Sequence, residues 1–246
     1  MSSFDFDYWH IKILYDLTGY LSAFWVTWFF YTKVFRRDEL PNPFSSKNEK
    51  IEYMLSVIAG AMLWGILIST FDGFMISGRN PENGILISKS IAGALFWWVI
   101  TAEIYKYFHK IKIPTGILFL PGIIIWICIG RIGAIITWLR DFTYGTPTML
   151  PWGIDFGDNI KRHPTMIHEM IILILFFLIF CIGLSGKERK WWINNGFYLF
   201  VIIYFLYRFF VGFIQPYSTW WFWLSTYQFI SIPMIVYGIF MLTKKS

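Results

Sequence analysis

The sequence predicts an all-α integral membrane protein with seven transmembrane helices, N-outside and C-inside. Three observations carry that prediction. The mean hydropathy of +0.54, with 57% hydrophobic, 22% aromatic and only 15% charged residues among 246, exceeds what a soluble domain of this size covers with polar surface. The apolar runs are continuous and reach the ~20 residues a helix needs to cross a ~30 Å hydrocarbon layer, not the ~10-residue alternation of a membrane barrel. The basic residues gather on alternate loops.

The expected spans are residues 11–33, 53–78, 85–107, 113–138, 165–185, 194–215 and 222–243. The N-terminal "MSSFDFDYWHIK" carries Asp5 and Asp7 and lacks a basic n-region and cleavage site, so the first span is expected to be retained. With the N-terminus outside, Lys33, Arg36, Arg37, Lys47, Lys50, Lys106, Lys110, Lys112, Lys187, Arg189, Lys190, Lys244 and Lys245 fall inside. The outer side takes Lys12, Arg79, Lys89, Arg140, Lys161 and Arg162. The net charge of +6 therefore reads as a topology signal, and nucleic acid is not an implied partner. Cys128 and Cys181 fall within spans as small apolar packers. A single membrane domain over residues 1–246, with an outer loop at 141–164, is the economical organisation.

The informative residues are the polar ones in or at the ends of spans: Asp16, Glu103, Arg131, Glu169 and Arg208. An arginine at the centre of a spanning helix costs about 2.5–3.5 kcal/mol. Either an internal ion pair such as Arg131 with Glu169 or snorkelling to the interface offsets that cost, or the arginines hold an anion between helices. Arg131 sits in Gly130-Arg131-Ile132-Gly133, ten residues after a Pro121-Gly122 pair expected to loosen the helix. On helical spacing Arg208 shares a face with Tyr204, Gly212 and Gln215. A guanidinium grips phosphate through two hydrogen bonds, so a phospholipid headgroup is the expected anion. The outer loop contains Gly145, Pro147, Pro151, Gly153 and Gly157 with Tyr144, Trp152 and Phe156. Loops of that length are usually functional or disordered. It ends in Arg162-His163-Pro164 at a helix start, a place that favours anions.

These residues carry a resemblance. "GRIG" (130–133) followed by "YGTPTMLPWGIDFGDNIKRHPTMIHE" (144–169) resembles the bacterial prolipoprotein diacylglyceryl transferase family. The likeness extends more weakly through "LYDLTGYL", "KSIAGAL" and "YRFFVGFIQP". It implies a multi-pass enzyme of the bacterial cytoplasmic (inner) membrane with phosphatidylglycerol and a prolipoprotein lipobox segment as partners. Such an enzyme moves diacylglyceryl from the lipid to the lipobox cysteine thiol in lipoprotein biogenesis. The resemblance implies no cofactor and no metal. By motif, Arg131 is the essential arginine, Arg162 and His163 the Arg-His-Pro pair, Glu169 the closing acid and Arg208 the span-six arginine.

The chain departs from the family pattern at several positions. Ala134 replaces the usual Asn, Lys89-Ser90-Ile91 a His-Gly-Gly turn, Met166 and His168 a Gln and a Tyr, and Gly212 and Gln215 a glutamate and a second arginine. Two substitutes are expected: Lys89 as a phosphate contact and His168 as a general base for the thiol. The expected phosphate-binding set is thus Arg131, Arg208, Arg162, His163 and Lys89, and the catalytic set Arg131, His168 and Glu169. The alternative is a catalytically altered or inactive paralogue that binds phospholipid or lipoprotein. His163, His168, Asp155 and Asp158 match no metal-ligand spacing, and no internal repeat points to a transporter.

Overall fold

A computed structural model describes residues 6–35, 40, 44–79, 90–137, 143–216, 219 and 221–244 of the chain. The helices are α1 (Phe6–Phe29), α2 (Lys47–Arg79), α3 (Ile91–Phe108), α4 (Leu120–Thr137), α5 (Thr165–Ser185), α6 (Arg189–Val211) and α7 (Thr226–Thr243). Two short strands, β1 (Ile154–Asp155) and β2 (Lys161–Arg162), lie in the α4–α5 loop. Among the described residues four helices, α4 to α7, are long and apolar enough to cross a membrane. The other three stand where the remaining spans are expected.

Helix α5 illustrates the solvent these elements are built for. Its buried positions, Met166, Glu169, Leu173, Phe176, Phe180 and Leu184, recur at three- and four-residue spacing. The opposite face exposes Ile171, Ile174, Leu175, Leu178, Ile179 and Ile182. An apolar outer face around a core that holds a carboxylate reverses the pattern of a water-soluble helix and suits lipid.

Among the helix boundaries that differ from expectation, two bear on the site. Residues 109–119 hold a turn and a short 3-10 segment (Gly116–Leu118) before α4 starts at Leu120. Pro121 therefore stands in the first turn, where a missing N–H costs nothing, so it starts the helix and does not kink it. α6 ends at Val211, and residues 212 and 213 form a turn. Gln215 thus lies beyond the helix, and the i+7 face shared with Arg208 is not formed.

The chain divides into two compact units. The first comprises Met1–Leu40, Thr115–Phe200 and Ile214–Pro216. Within it, α1 lies against α4 at glycine contacts. A Cβ on Gly133 would come within 2.9 Å of Tyr15 Cβ, and one on Gly122 within 2.7 Å of the Ala23 carbonyl. Apolar side chains gain little over lipid tails, so close backbone approach supplies the attraction. An aromatic cluster of Phe30, Phe176, Phe180, Trp192 and Phe200 fills the centre.

The α4–α5 loop belongs to this unit and is folded. Thr148 N donates to Lys161 O, His163 N to Thr146 O and Gly145 N to His163 O. β1 pairs antiparallel with β2, with Ile154 opposite Arg162 and Asp155 opposite Lys161. A third segment, around Pro147, meets β2 through a bridge opposite Arg162. Asp155 Oδ1 accepts from the N–H groups of Gly157, Asp158 and Asn159, closing the turn in which Gly157 and Asn159 take positive φ. Phe156 is buried against Tyr144, whereas Trp152 is exposed.

The second unit comprises Pro41–Pro114, Val201–Phe213 and Tyr217–Ser246. α2 and α3 pair along a small-residue seam at Gly65 and Ala94. Tyr237 of α7 donates to Glu103 of α3 at 2.8 Å, and Lys106 binds the same carboxylate oxygen. Glu103 is thereby accounted for as an internal polar anchor.

Candidate active site

Arg131 lies past the middle of α4, where the flanking apolar residues hold the helix among its neighbours. Glu169 lies in the second turn of α5. The two meet side-on: Arg131 Nε stands 3.0 Å from Glu169 Oε2, and Nη2 donates to Oε1 at 3.2 Å. Their side chains are only 8% and 3% exposed. This is the ion pair expected as one of the ways to offset the charge in the span. It joins α4 to α5 within the first unit. Cys128 precedes Arg131 by three residues and is buried. Ala134 follows by three, also buried, and adds no polar atom to the site.

The Arg-His-Pro pair is placed by the folded loop. Arg162 Nη1 donates to Asp158 Oδ1 at 2.6 Å and to Ile160 O at 3.2 Å, and its Cζ lies 5.1 Å from the centre of the Tyr144 ring. The hydrogen bond from Arg162 holds the Asp158 carboxyl below the usual carboxylate range, and the same bond pushes the guanidinium further up. Arg162 therefore has anion and π partners inside the loop. His163 contributes its backbone, donating to Thr146 O and accepting from Gly145 and Thr165. His168 is half-buried on α5, one residue and about 100° of helix before Glu169. Lys89 lies outside the described residues.

A knot of neutral groups ties both ends of this loop. Gln215 Nε2 donates to Thr143 O and to Thr165 Oγ1, each at 3.1 Å, and Thr165 Oγ1 donates to the same Thr143 carbonyl. Thr146 N also bonds Ile214 O. Gln215 is buried and works here as a loop clasp. Nothing in the spacing of residues 143, 165 and 215 announces the knot.

Arg208 belongs to the second unit and sits in the last turn of α6, where the helix dipole favours a cation. It is buried. Its Cζ lies 5.4 Å from the centre of the Tyr227 ring, on the first turn of α7. Gln228, fully buried, donates to Phe209 O at 3.1 Å and closes a capping box with Ser225. Sequence reasoning missed Tyr227, Gln228 and Asp158. An aromatic among many aromatics, and an acid in a polar loop, stand out only once their partners are known. Among the described residues no three His, Cys, Asp or Glu side chains converge as metal ligands.

Comparison with known proteins adds independent information. Residues 10–244 match the family model described as prolipoprotein diacylglyceryl transferase. Similar relatives carry the name phosphatidylglycerol–prolipoprotein diacylglyceryl transferase. The Finegoldia magna protein is 33% identical over 156 residues, covering 63% of this chain and 60% of the relative. The Clostridium tetani protein is 33% identical over 205 residues, covering 74% and 75%. The Chlamydia trachomatis protein is 29% identical over 212 residues, covering 79% and 75%. The match to the Finegoldia protein thus spans less than two thirds of that relative's length.

Proposed function

The chain belongs to the prolipoprotein diacylglyceryl transferase family, and from that premise we propose that it moves diacylglyceryl from phosphatidylglycerol to the thiol of a lipobox cysteine. We read it as a seven-span protein of the bacterial cytoplasmic membrane, N-outside and C-inside, functioning as one membrane domain. In the reaction the thiol loses its proton, and sulfur attacks the diacylglyceryl carbon that bears the phosphate oxygen. That C–O bond breaks, and glycerol phosphate leaves with the electron pair.

The observation that carries this reading is the buried guanidinium of Arg131, held side-on by Glu169. A rigid donor fork in a low-dielectric setting is what an oxyanion needs as charge collects on the departing phosphate. Arg131 is assigned to the phosphate, and Glu169 to orienting Arg131. His168, the imidazole next to Glu169 in sequence, is assigned to the thiol proton. Arg208 is assigned as a phosphate contact on its own observations: burial, the last turn of a spanning helix and an aromatic face. Lys89 stays assigned to phosphate by its motif position. Arg162 and His163 stay assigned to phosphate by their motif position, and both also hold the α4–α5 loop, Arg162 through its side chain on Asp158 and His163 through its backbone.

A second reading is a relative that binds phospholipid without transferring it. Two observations favour it: Ala134 brings no polar atom beside Arg131, and Gln215 is engaged in the loop clasp. The test uses purified protein with phosphatidylglycerol and a lipobox peptide, reading peptide mass and released glycerol phosphate. A diacylglyceryl mass gain that is absent in Arg131→Lys supports the transferase. No gain, under conditions where a relative is active, with retained lipid binding, selects the second reading.

A further inference from the structure

The corner where α6 passes into α7 is locked by contacts that the proposed chemistry has not used. Gln228 Nε2 bonds Phe209 O, the carbonyl next to Arg208 in the chain. A Cβ on Gly212 would come within 2.7 Å of Gln228 Cγ, so the absent side chain at 212 makes room for Gln228. The Gln228 side chain is itself fixed: its Oε1 accepts from Ser225 N at 2.8 Å and from Ser225 Oγ at 3.0 Å. The Arg208 carbonyl accepts from Gly212 N, which closes the end of α6. The backbone just after Arg208 is therefore held by Gln228 in the first turn of α7. That same turn sets the Tyr227 ring 5.4 Å from the guanidinium carbon, with both residues buried.

Resting on the reading of Arg208 as a phosphate contact, we propose that Tyr227 is the positioning residue that orients the Arg208 guanidinium toward the lipid phosphate. A ring face attracts the cation through its quadrupole. Unlike a carboxylate, it takes up none of the in-plane N–H donors that grip an oxyanion, and it brings no negative charge to repel one. Arg131 is thus held by an acid, and Arg208 has an aromatic face beside it. Gln228 keeps the ring in register, and Gly212 is the space it needs.

The experiment measures binding of short-chain phosphatidylglycerol, and of the matching diacylglycerol as a phosphate-free control, to the purified full chain in detergent. Tyr227→Leu is expected to weaken phosphatidylglycerol binding roughly tenfold and to leave diacylglycerol binding within about twofold. Tyr227→Phe, which keeps the ring face, is expected to restore binding to within about threefold of wild type. In an Arg208→Ala background Tyr227→Leu should add no further loss, as coupled residues behave. Should Tyr227→Leu fail to fold, Tyr227→Met supplies a flexible chain without a ring.

Equal losses for both lipids, or a loss that persists without Arg208, would make Tyr227 a packing residue and overturn the proposal. Weak phosphatidylglycerol binding in Arg208→Ala with wild-type binding in Tyr227→Leu would overturn the positioning role alone. Wild-type binding in Arg208→Ala would sink the phosphate reading of Arg208, and the proposal with it.

Discussion

Removing Glu169 should destabilise the protein far more than removing Glu169 and Arg131 together. The pair is side-on at 3.0 and 3.2 Å with both side chains almost wholly buried. Two unit charges ~4 Å apart attract by about 4 kcal/mol at an effective dielectric of ~20, and breaking a buried pair leaves one charge uncompensated at a cost of about 3–5 kcal/mol. For a chain of this length each kcal/mol moves the melting point by roughly 2–4 °C, so Glu169→Leu is expected to lower it by roughly 6–20 °C. Arg131→Met with Glu169→Leu replaces the pair by apolar groups and should recover most of that loss, as buried ion pairs swapped for packed side chains do. The assay is a double-variant cycle on thermal unfolding in detergent, with lipid transfer measured on the same preparations. The double variant is expected to be folded and inactive, which separates the stabilising role of the pair from the chemical role of Arg131. A coupling below about 0.5 kcal/mol would refute the reasoning, as would a double variant that keeps transfer activity.

Three other outcomes are expected. Gly145→Ala places a Cβ within 2.5 Å of His163 Cβ and 3.0 Å of two carbonyls, so it should cost about 1–3 kcal/mol as overpacking and open the α4–α5 loop to limited proteolysis. The Asp158 carboxyl is held below its ordinary value by Arg162, so its contribution to loop order is fully present above the unfolded value of about 3.9 and is lost as pH falls through the lower folded value. Hydrogen exchange across residues 154–163 should be flat in that contribution from about pH 5 upward and rise in acid, and Asp158→Asn should remove the acid step; an unchanged step in that variant would exclude Asp158 as its source. If His168 takes the thiol proton, His168→Phe should lower the transfer rate by about 10²–10⁴ with little change in phosphatidylglycerol binding. Full activity in His168→Phe would assign the base elsewhere.

How much was legible in advance depends on whether the deciding contact is local. Helices stand at all seven expected places because apolar run length is a property of contiguous residues, and the start of α5 at Thr165 follows from a proline just before it. Arg131, Glu169 and Arg208 were visible as candidates because a charge in a long apolar run is improbable whatever surrounds it. Arg162 was visible too, but its bond to Asp158 depends on a turn built by Asp155 and Gly157, which changes what the arginine is available to do.

The sequence by itself determined the membrane class, the positions of the helices and the short list of charges that need a partner, since each follows from the free energy of moving side chains into lipid. Tertiary structure alone decided which partner each charge meets. Arg131 and Glu169 are 38 residues apart, and Gln215 and Thr143 are 72 apart. Arg208 meets a ring on the next helix after a turn that ends α6 sooner than its apolar pattern does. Such pairings arise from how helices pack, and packing between spanning helices turns on glycine contacts and single buried polar groups that carry no periodic signal along the chain.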